Sequence, residues 1–143
     1  MSQSTLLLEV ATPQGMALQQ AVLSLRAPGS QGQFGVLQGH IPLLSALRNG
    51  VLIYETETGL QAAAIGPGVA EVEASRVRII TERFVEAKKV ALDEARLKVK
   101  EAEEALAKSD AKGDANEYEE RCRALEWAMA LRDLSEWASK NAG

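Results

Sequence analysis

Hydrophobic and polar residues alternate with a period of two through much of residues 1–85, which is the pattern of half-buried β-strands. Turn-forming segments such as Asn49-Gly50 and Glu57–Gly59 separate the alternating runs. There are about eight runs, and none of the segments between them has helical periodicity. The pattern therefore predicts an antiparallel β-sandwich or a flattened barrel. The apolar residues that mark the runs are Leu6, Leu8, Val10, Leu23, Leu25, Val51, Ile53, Val77 and Ile79.

After residue 86 the apolar positions recur every three or four residues, which marks amphipathic helices. A first helix is followed by a predicted turn at Ser109–Asp114 and by a second helix over residues 115–140, capped by Asp114 or Asn116. Because the connection is short, the two helices are predicted to form an antiparallel hairpin. The apolar face of the first helix consists of Leu92, Ala95, Val99, Ala102 and Leu106.

The second helix has more apolar surface than one partner helix can cover. Two stripes are rotated from each other around its axis, and Trp137 lies between them. One stripe can face the first helix, so the other is expected to face the sandwich or another chain. The first stripe is Tyr118, Cys122, Leu125 and Met129, and the second is Trp127, Leu131, Leu134 and Ala138.

Composition changes at the same place as the period. Residues 1–85 hold all four prolines and nine of the eleven glycines but no lysine, whereas residues 86–143 hold all seven lysines and fourteen acidic residues. A turn-rich segment is thus followed by a charged, alanine-rich one. We predict an α+β chain with two domains, a β-sandwich at 1–85 and a helical hairpin at 86–143.

Charge and residue types exclude several classes of function. A net charge of −4 and a pI near 5.1 argue against a nucleic-acid surface. The single cysteine and single histidine cannot build a zinc site, and no phosphate-binding glycine loop or GxSxG elbow is present. No apolar run is long enough to span a membrane, and no signal peptide is recognisable. We expect a non-catalytic, soluble intracellular protein that reaches a membrane only through a partner.

A glycine-rich stretch at Gly32–Leu44 contains the only histidine of the chain. It predicts two short extended pieces, Phe34–Leu37 and Ile41–Leu44, joined by a turn at Gln38–His40. Loop tips at protein surfaces often carry binding residues. An isolated histidine at such a tip can equally well do no more than hydrogen-bond the local backbone.

Three segments together resemble the epsilon subunit of bacterial F-type ATP synthases: Gly32–Leu44, Ala64–Val72 and Leu92–Arg96. Gln38 stands where the family usually has proline, and Pro67 replaces the first of two glycines, but the spacing is kept. The resemblance implies a ten-stranded sandwich followed by a helical hairpin. It also implies a rotor subunit that couples proton-driven rotation of the c-ring to ATP synthesis, and whose hairpin inhibits ATP hydrolysis.

The resemblance also implies partners and a location. The sandwich would bind the gamma subunit and the c-ring, and the hairpin would reach the alpha/beta catalytic head. The chain would then lie at the cytoplasmic side of the cell membrane as a peripheral component. Gln33, Phe34 and His40 match the positions that contact the c-ring; because Gln33 replaces a frequent carboxylate, a neutral hydrogen bond is expected there.

The resemblance assigns a regulatory surface to the second helix. In the family, basic residues of the hairpin meet an acidic loop of the beta subunit when the hairpin extends. Arg123 and Arg132 are the candidates for that contact, although acidic neighbours make an ordinary solvated face equally consistent with the sequence. Trp127, Leu131 and Leu134 are expected to contact the sandwich when the hairpin is folded down.

Some family members bind ATP at the hairpin through a motif that Asp93 and Arg96 match. Leu97 stands where alanine is usual, and Ala87 and Glu103 stand where glutamate and arginine are wanted. A carboxylate near triphosphate oxygens repels them, so no cofactor is expected. An alternative from another class is a non-catalytic ligand-binding β-sandwich with an oligomerising helical tail. Such a site needs an aromatic lining, and residues 1–85 contain only Phe34, Tyr54 and Phe84.

Overall fold

A computed structural model of the chain describes residues 4–109 and 113–141. Within them, ten strands are followed by a short 3-10 helix (Ala87–Lys89) and two α-helices, α1 (Leu92–Ala107) and α2 (Ala115–Asn141). The strands are β1 (Leu6–Thr12), β2 (Gly15–Val22), β3 (Ser24–Gly29), β4 (Gly32–Leu37), β5 (Leu43–Leu47), β6 (Gly50–Thr56), β7 (Gly59–Ile65), β8 (Gly68–Val72), β9 (Arg76–Thr81) and β10 (Phe84–Glu86).

The strands form one curled sheet that folds into two layers. The order is β10-β7-β6-β3-β5-β8-β9-β1-β2, and β4 pairs with β3 off this path. β3 belongs to both layers, because its first half pairs with β6 while Gly29 at its end pairs with Leu47 of β5. The predicted β-sandwich followed by a helical hairpin is confirmed.

The core between the layers is built from alternate residues of the strands, as the period-two pattern predicts. Val77 and Ile79 of β9 are fully buried, whereas Ile80 of the same strand is more than half exposed. β6 is covered on both faces, since Leu52 and Tyr54 point into the sandwich and Val51 and Ile53 pack on the helices. The largest fully buried side chains of the sandwich are Leu6, Leu8, Val10, Val22, Leu25, Val36, Leu52, Ile65, Val72, Val77 and Ile79.

The pattern of about eight alternating runs misses two strands. β2 lies at a sheet edge with most of its side chains exposed, and its buried residues do not alternate regularly with exposed ones. β10 has only three residues. One pairing also differs from an all-antiparallel sandwich, because β1 and β9 run parallel while the other pairings of the described strands are antiparallel.

The two helices pack against each other, and α2 also packs on β6 and β7. Asp114 is the N-cap of α2, since its Oδ1 accepts hydrogen bonds from the N–H groups of Asn116 and Glu117 at 2.9 and 3.3 Å. α2 ends one residue beyond the predicted range. Residues 110–112 of the predicted turn lie outside the described residues.

Tyr54 gives the sandwich a dependence on alkaline pH. Burial raises the pKa of its phenol, and the nearby Glu86 carboxylate raises that pKa further. The folded state therefore keeps a proton that the unfolded chain loses above about pH 10, so this contribution to stability is present below that pH and disappears as pH rises through the folded pKa. Urea unfolding of the wild type and of Tyr54→Phe should show their midpoints converging or crossing at alkaline pH. Parallel midpoints across the range would contradict this assignment.

Candidate functional site

The glycine-rich stretch Gly32–Leu44 comprises β4, the loop that connects β4 to β5, and the first two residues of β5. Gly39 has a φ of 86°, a left-handed conformation that favours glycine, and its N–H donates to Ala74 O at 2.7 Å. The turn is closed by a hydrogen bond from His40 N–H to Leu37 O at 3.2 Å. β5 begins at Leu43 rather than at Ile41, because the Ile41-Pro42 pair stays outside the sheet. The hydrogen bond from Gly39 to Ala74 ties the loop to the turn between β8 and β9.

His40 makes a local contact of the kind expected for an isolated turn histidine. Its Nδ1 donates a hydrogen bond to the carbonyl oxygen of Ile41 at 2.6 Å. Because a carbonyl only accepts, Nδ1 carries the proton. In the neutral ring, Nε2 is then the acceptor that remains for a partner. His40 can therefore keep its hydrogen bond to Ile41 and accept a second one from a partner through Nε2.

Three large apolar side chains surround the end of the loop. Leu37, Ile41 and Leu44 are 64%, 79% and 72% exposed. Single exposed apolar residues are ordinary, but these three lie within eight positions that also contain Leu43, which is 39% exposed, and exposed apolar residues concentrated in this way are typical of a protein interface. We call Leu37, Ile41 and Leu44 the loop patch.

The structure does not bring the three sequence-predicted contact residues together. Gln33 lies at the start of β4 and pairs with Pro28, whereas His40 lies beyond the end of β4. At about 3.4 Å per residue, Gln33 and the end of this strand are ~14 Å apart. Gln33 is exposed beside Trp137, while Phe34 is half-buried and packs against the sandwich core. The loop patch belongs to the His40 end.

A second surface lies where α2 covers the outer face of β6 and β7. Leu134 is fully buried and Leu131 is 5% exposed. Ala62 and Ala64 present a surface of small side chains, which allows the helix to approach β7 closely. We call this the docking cluster; it comprises Ala62, Ala64, Ala95, Ala130, Leu131 and Leu134, with Val51, Ile53, Val85, Ala87, Val90, Trp127 and Trp137 packed around them.

The first apolar stripe of α2, which is expected to face α1, is only partly buried. Tyr118 and Met129 are each more than a third exposed, and Cys122 and Leu125 are half-buried. The stripe that contains Trp127, Leu131 and Leu134 is the one that packs on the sandwich. The structure thus places these three sequence-predicted hairpin residues together in one apolar contact.

Two polar contacts that the sequence pattern does not predict border the docking cluster. The Arg83 guanidinium lies 5.1 Å from the centre of the Trp127 ring, which is cation–π geometry. The Asn49 side-chain amide donates to Glu126 Oε2 at 3.2 Å. These pairs join residues that are far apart in the chain, so no local pattern points to them.

The two basic candidates of the hairpin lie near solvent. Arg123 is exposed and pairs with Glu119 at 4.0 Å, one turn away. Arg132 is half-buried, and its Nη2 donates to Asp133 at 3.3 Å. Exposed pairs of this kind contribute little to stability, at most about 1 kcal/mol, so either arginine can exchange its partner at small cost.

Arg121 is a different case, because it joins the two helices. Its guanidinium donates to the carbonyl oxygen of Ala105 at 2.9 Å, to Ser109 Oγ at 2.6 Å and to the carboxylate of Glu117. The residue fixes the end of the hairpin from α2. In the sequence Arg121 lies among acidic residues, which is the pattern of a solvent-exposed helix face, so the pattern does not predict this contact between the helices.

Asp93 lies in the first turn of α1, and Arg96 follows in the second turn. The N-cap residue Ala91 provides no side-chain hydrogen bond to this helix. The negative charge of Asp93 in the first turn stabilises the helix through its interaction with the positive end of the macrodipole. Arg96 Nη2 lies 3.9 Å from Glu136 Oε1 of α2. Arg96 is the basic residue of the two candidate ATP contacts, Asp93 and Arg96, and its guanidinium is thus directed at α2.

Among residues 4–109 and 113–141, no group of three or more His, Cys, Asp or Glu side chains could hold a metal ion. In that same part of the chain no helix combines the length and the apolar character that crossing a membrane requires. Of the sandwich aromatics, Tyr54 is 7% exposed, and Phe34 and Phe84 pack against the core.

Residues 5–87 match the family model described as ATP synthase, Delta/Epsilon chain, beta-sandwich domain. The chain is 42% identical over 83 residues to an ATP synthase epsilon chain of Magnetococcus marinus, a match covering 58% of this chain and 61% of that relative. An ATP synthase epsilon chain of Syntrophobacter fumaroxidans is 36% identical over 129 residues, which cover 90% of this chain and 94% of the relative. The match to the Magnetococcus chain spans less than two thirds of that relative's length.

Solved structures share the fold. In the cryo-EM structure of the Euglena gracilis mitochondrial ATP synthase, a chain superposes with a TM-score of 0.78 at 23% identity, over 91% of this chain and 81% of that one. A chain of the Tetrahymena thermophila mitochondrial ATP synthase central stalk and c-ring superposes with a TM-score of 0.58 at 14% identity, over 94% of this chain and 99% of that one.

Proposed function

Because this chain belongs to the delta/epsilon-chain family of ATP synthases, we propose that it is a non-catalytic rotor subunit of an F-type ATP synthase. In this role it couples rotation of the c-ring to ATP synthesis and inhibits ATP hydrolysis through the α1–α2 hairpin. The observation that carries the proposal is the architecture, a ten-stranded sandwich with a two-helix hairpin docked on its β6–β7 face. The chain would then be peripheral to the cell membrane, on its cytoplasmic side.

The sandwich binds the gamma subunit and the c-ring in this proposal. The loop patch supports a contact at the His40 end of β4, where Leu37, Ile41 and Leu44 are already exposed and need no rearrangement to bind. Gln33 and Phe34 are assigned to the c-ring contact only by the resemblance. Because Gln33 lies ~14 Å from the His40 end of β4, a c-ring contact that included both Gln33 and His40 would have to span that distance.

The hairpin regulates by exchanging partners. The docked position buries Leu131 and Leu134 on the sandwich, and an extended position would bury them on the gamma subunit or the catalytic head. Arg123 and Arg132 would then leave their exposed intrahelical pairs for the acidic loop of the beta subunit. Only the difference in affinity between the two positions shifts the population.

We propose that ATP does not hold the hairpin in its docked position in this chain. Arg96 is directed at Glu136, and Glu103 brings a negative charge where the nucleotide-binding pattern wants a cation. Asp93 serves the helix N-terminus. Isothermal titration of the isolated chain with ATP should give no saturable heat at millimolar ATP, and the same null result for Asp93→Ala would show that the motif is silent. Tight binding that is lost in Asp93→Ala would contradict this part of the proposal.

The whole proposal is tested by reconstitution with alpha, beta and gamma chains and the membrane sector. We expect the chain to assemble stoichiometrically, to restore proton-coupled ATP synthesis to complexes that lack an epsilon chain, and to lower ATP hydrolysis. The matched comparison is the same reconstitution without the chain. Assembly without any change in coupling or hydrolysis would contradict the functional proposal and leave only the family assignment.

Crowding the His40 end of the loop should weaken attachment to the membrane sector. His40→Trp adds bulk beside the loop patch while the glycines that allow the turn remain. Overpacking of an interface costs about 1–3 kcal/mol, so affinity for the c-ring should fall roughly 5- to 160-fold without loss of folding. Sedimentation of reconstituted complexes with membranes measures this.

Two matched variants identify which end of β4 makes the contact. Gln33→Trp places the same bulk at the other end of the strand, and Gln14→Trp places it in the exposed β1–β2 turn. We expect the His40 variant to have the largest effect and the Gln14 variant none. An effect confined to Gln33→Trp would move the c-ring contact to the opposite end of the sandwich layer.

A further inference from the structure

Two turns of the sandwich hold successive residues in the middle of α2. Asn49, in the turn between β5 and β6, contacts Glu126, and Arg83, in the turn between β9 and β10, contacts Trp127. We infer that these four residues form a clasp that fixes the position of α2 on the sandwich. Its regulatory consequence rests on the proposed function, whereas the clasp itself is a property of the isolated chain.

Sheet register explains why the two turns reach the same part of the helix. Gly50 of β6 and Phe84 of β10 both pair with Ile65, one from each side of β7. Asn49 and Arg83 immediately precede these residues, so their backbones lie about two strand spacings, ~10 Å, apart at one end of the layer. The helix segment that crosses this end therefore meets a donor from each side of β7.

Hydrogen bonds hold Arg83 in place before it meets the helix. The buried Thr81 hydroxyl donates to Gly66 O at 2.8 Å, and Gly66 N–H donates to Arg83 O at 3.2 Å. Glu82 N–H donates to Pro67 O at 3.2 Å, which closes the same corner. Because these hydrogen bonds fix the backbone on both sides of Arg83, only its side chain has to be ordered when the guanidinium stacks on Trp127.

The clasp fixes the position of α2 along the strands, which the apolar contact beneath it does not do. The hydrophobic effect is non-directional, and much of the docking cluster is alanine on both surfaces, namely Ala62 and Ala64 of β7 and Ala130 of α2. Such surfaces tolerate a shift of the helix along the strands. A ring that must lie under one guanidinium and a carboxylate that must meet one amide define a single position.

The guanidinium–indole contact is weak enough to be reversible. A cation–π pair at a partly exposed site is worth about a two- to fivefold change in population. Arg83→Ala should thus accelerate amide hydrogen exchange in the middle of α2 by about that factor in the isolated full-length chain, while exchange in β1 and β9 stays unchanged. Arg26→Ala, which removes an exposed arginine of β3, is the matched control and should change neither.

A double-mutant cycle isolates the contact from general packing. Arg83→Ala should have no additional effect in a Trp127→Leu background, since the aromatic ring is already gone. Arg83→Lys should restore part of the protection because the charge remains. Equal effects of Arg83→Ala with and without the indole, or no effect on α2 exchange at all, would overturn the clasp.

The Asn49 side is tested by reversing its polarity. Asn49→Asp places a carboxylate against Glu126 and should accelerate α2 exchange, whereas adding Glu126→Gln should restore protection because the new amide donates to the new carboxylate. Gln31→Glu, in the exposed β3–β4 turn, controls for the added charge. Failure of Glu126→Gln to rescue Asn49→Asp would overturn this half of the clasp.

ATP hydrolysis by the reconstituted complex then separates the inference from the proposed function. If the clasp biases regulation, Arg83→Ala should change inhibition in the same sense as Asn49→Asp, and Asn49→Asp with Glu126→Gln should return it to the wild-type level. Faster α2 exchange without any change in hydrolysis would support the clasp and overturn the regulatory part of the proposed function.

Discussion

Replacing Leu131 and Leu134 together with serine is expected to release α2 from the sandwich while the strands stay folded. Both leucines are buried in the docking cluster, and truncating a buried leucine costs about 2–5 kcal/mol before the penalty of burying a hydroxyl is added. Together they remove about 4 kcal/mol or more from docking, which shifts the docked population by more than a hundredfold. Amide exchange should rise throughout α2, and the fluorescence of Trp127 and Trp137 should move toward that of solvent-exposed indole.

The matched control introduces serine at two more exposed positions of the same hairpin, one in α1 and one in α2. Leu97 and Met129 are 55% and 38% exposed and lie outside the docking cluster, so replacing them with serine removes no apolar side chain from that cluster. This control should leave α2 exchange nearly unchanged. Loss of protection in β1 or β9 on replacing Leu131 and Leu134 would contradict the view that the sandwich core is independent of the hairpin.

In the assembled complex the same double variant tests regulation. If inhibition depends on where the hairpin binds, hydrolysis should change far more than it does for the Leu97 and Met129 control. The direction depends on whether Leu131 and Leu134 bind more strongly to the sandwich or to the extended position. Equal rates for wild type, variant and control would leave the hairpin without a regulatory role.

Much of the fold follows from local patterns. The period of two predicts the buried residues of β1 and β9, and the period of three and four predicts α1 and α2, because each pattern describes a face that must be buried. The resemblance carried by Gly32–Leu44 and two further segments is confirmed by the family match over residues 5–87. Whether 1–85 and 86–143 behave as separate domains stays a prediction.

Other features are not encoded locally. The parallel pairing of β1 with β9 joins strands at opposite ends of the sandwich sequence, and alternation does not specify a strand's partner. Asn49 and Glu126 are separated by 77 residues, and the contact depends on two turns that the register of β7 brings together. Sequence proximity also misleads, since Gln33 and His40 are seven positions apart yet lie near opposite ends of β4.

Gly68 is the position where a single methyl group should do the most damage to the sandwich. It begins β8, in the Ala64–Val72 segment that carries part of the family resemblance, and pairs with Thr81 of β9. A Cβ added there would lie 2.8 Å from Thr81 Cα and would overlap the carbonyl group of Ile80. These are backbone atoms, so no side-chain rotation relieves the contact and β8 must move away from β9.

Gly68→Ala is therefore expected to lower the free energy of unfolding by about 3 kcal/mol or more, the upper range for overpacking a well-packed site. For a chain of this size each kcal/mol corresponds to roughly 2–4 °C in Tm, so thermal unfolding should begin on the order of 10 °C lower. Gly35→Ala is the matched control, because a Cβ there would meet its nearest neighbours, Arg26 Cγ and Leu25 O, at 3.8 Å, an ordinary contact. The control should change stability by less than about 1 kcal/mol, and could raise it by restricting the unfolded chain. Equal urea midpoints for the two variants would mean that β8 and β9 separate easily at Gly68, and the close approach of these strands would then not explain the glycine.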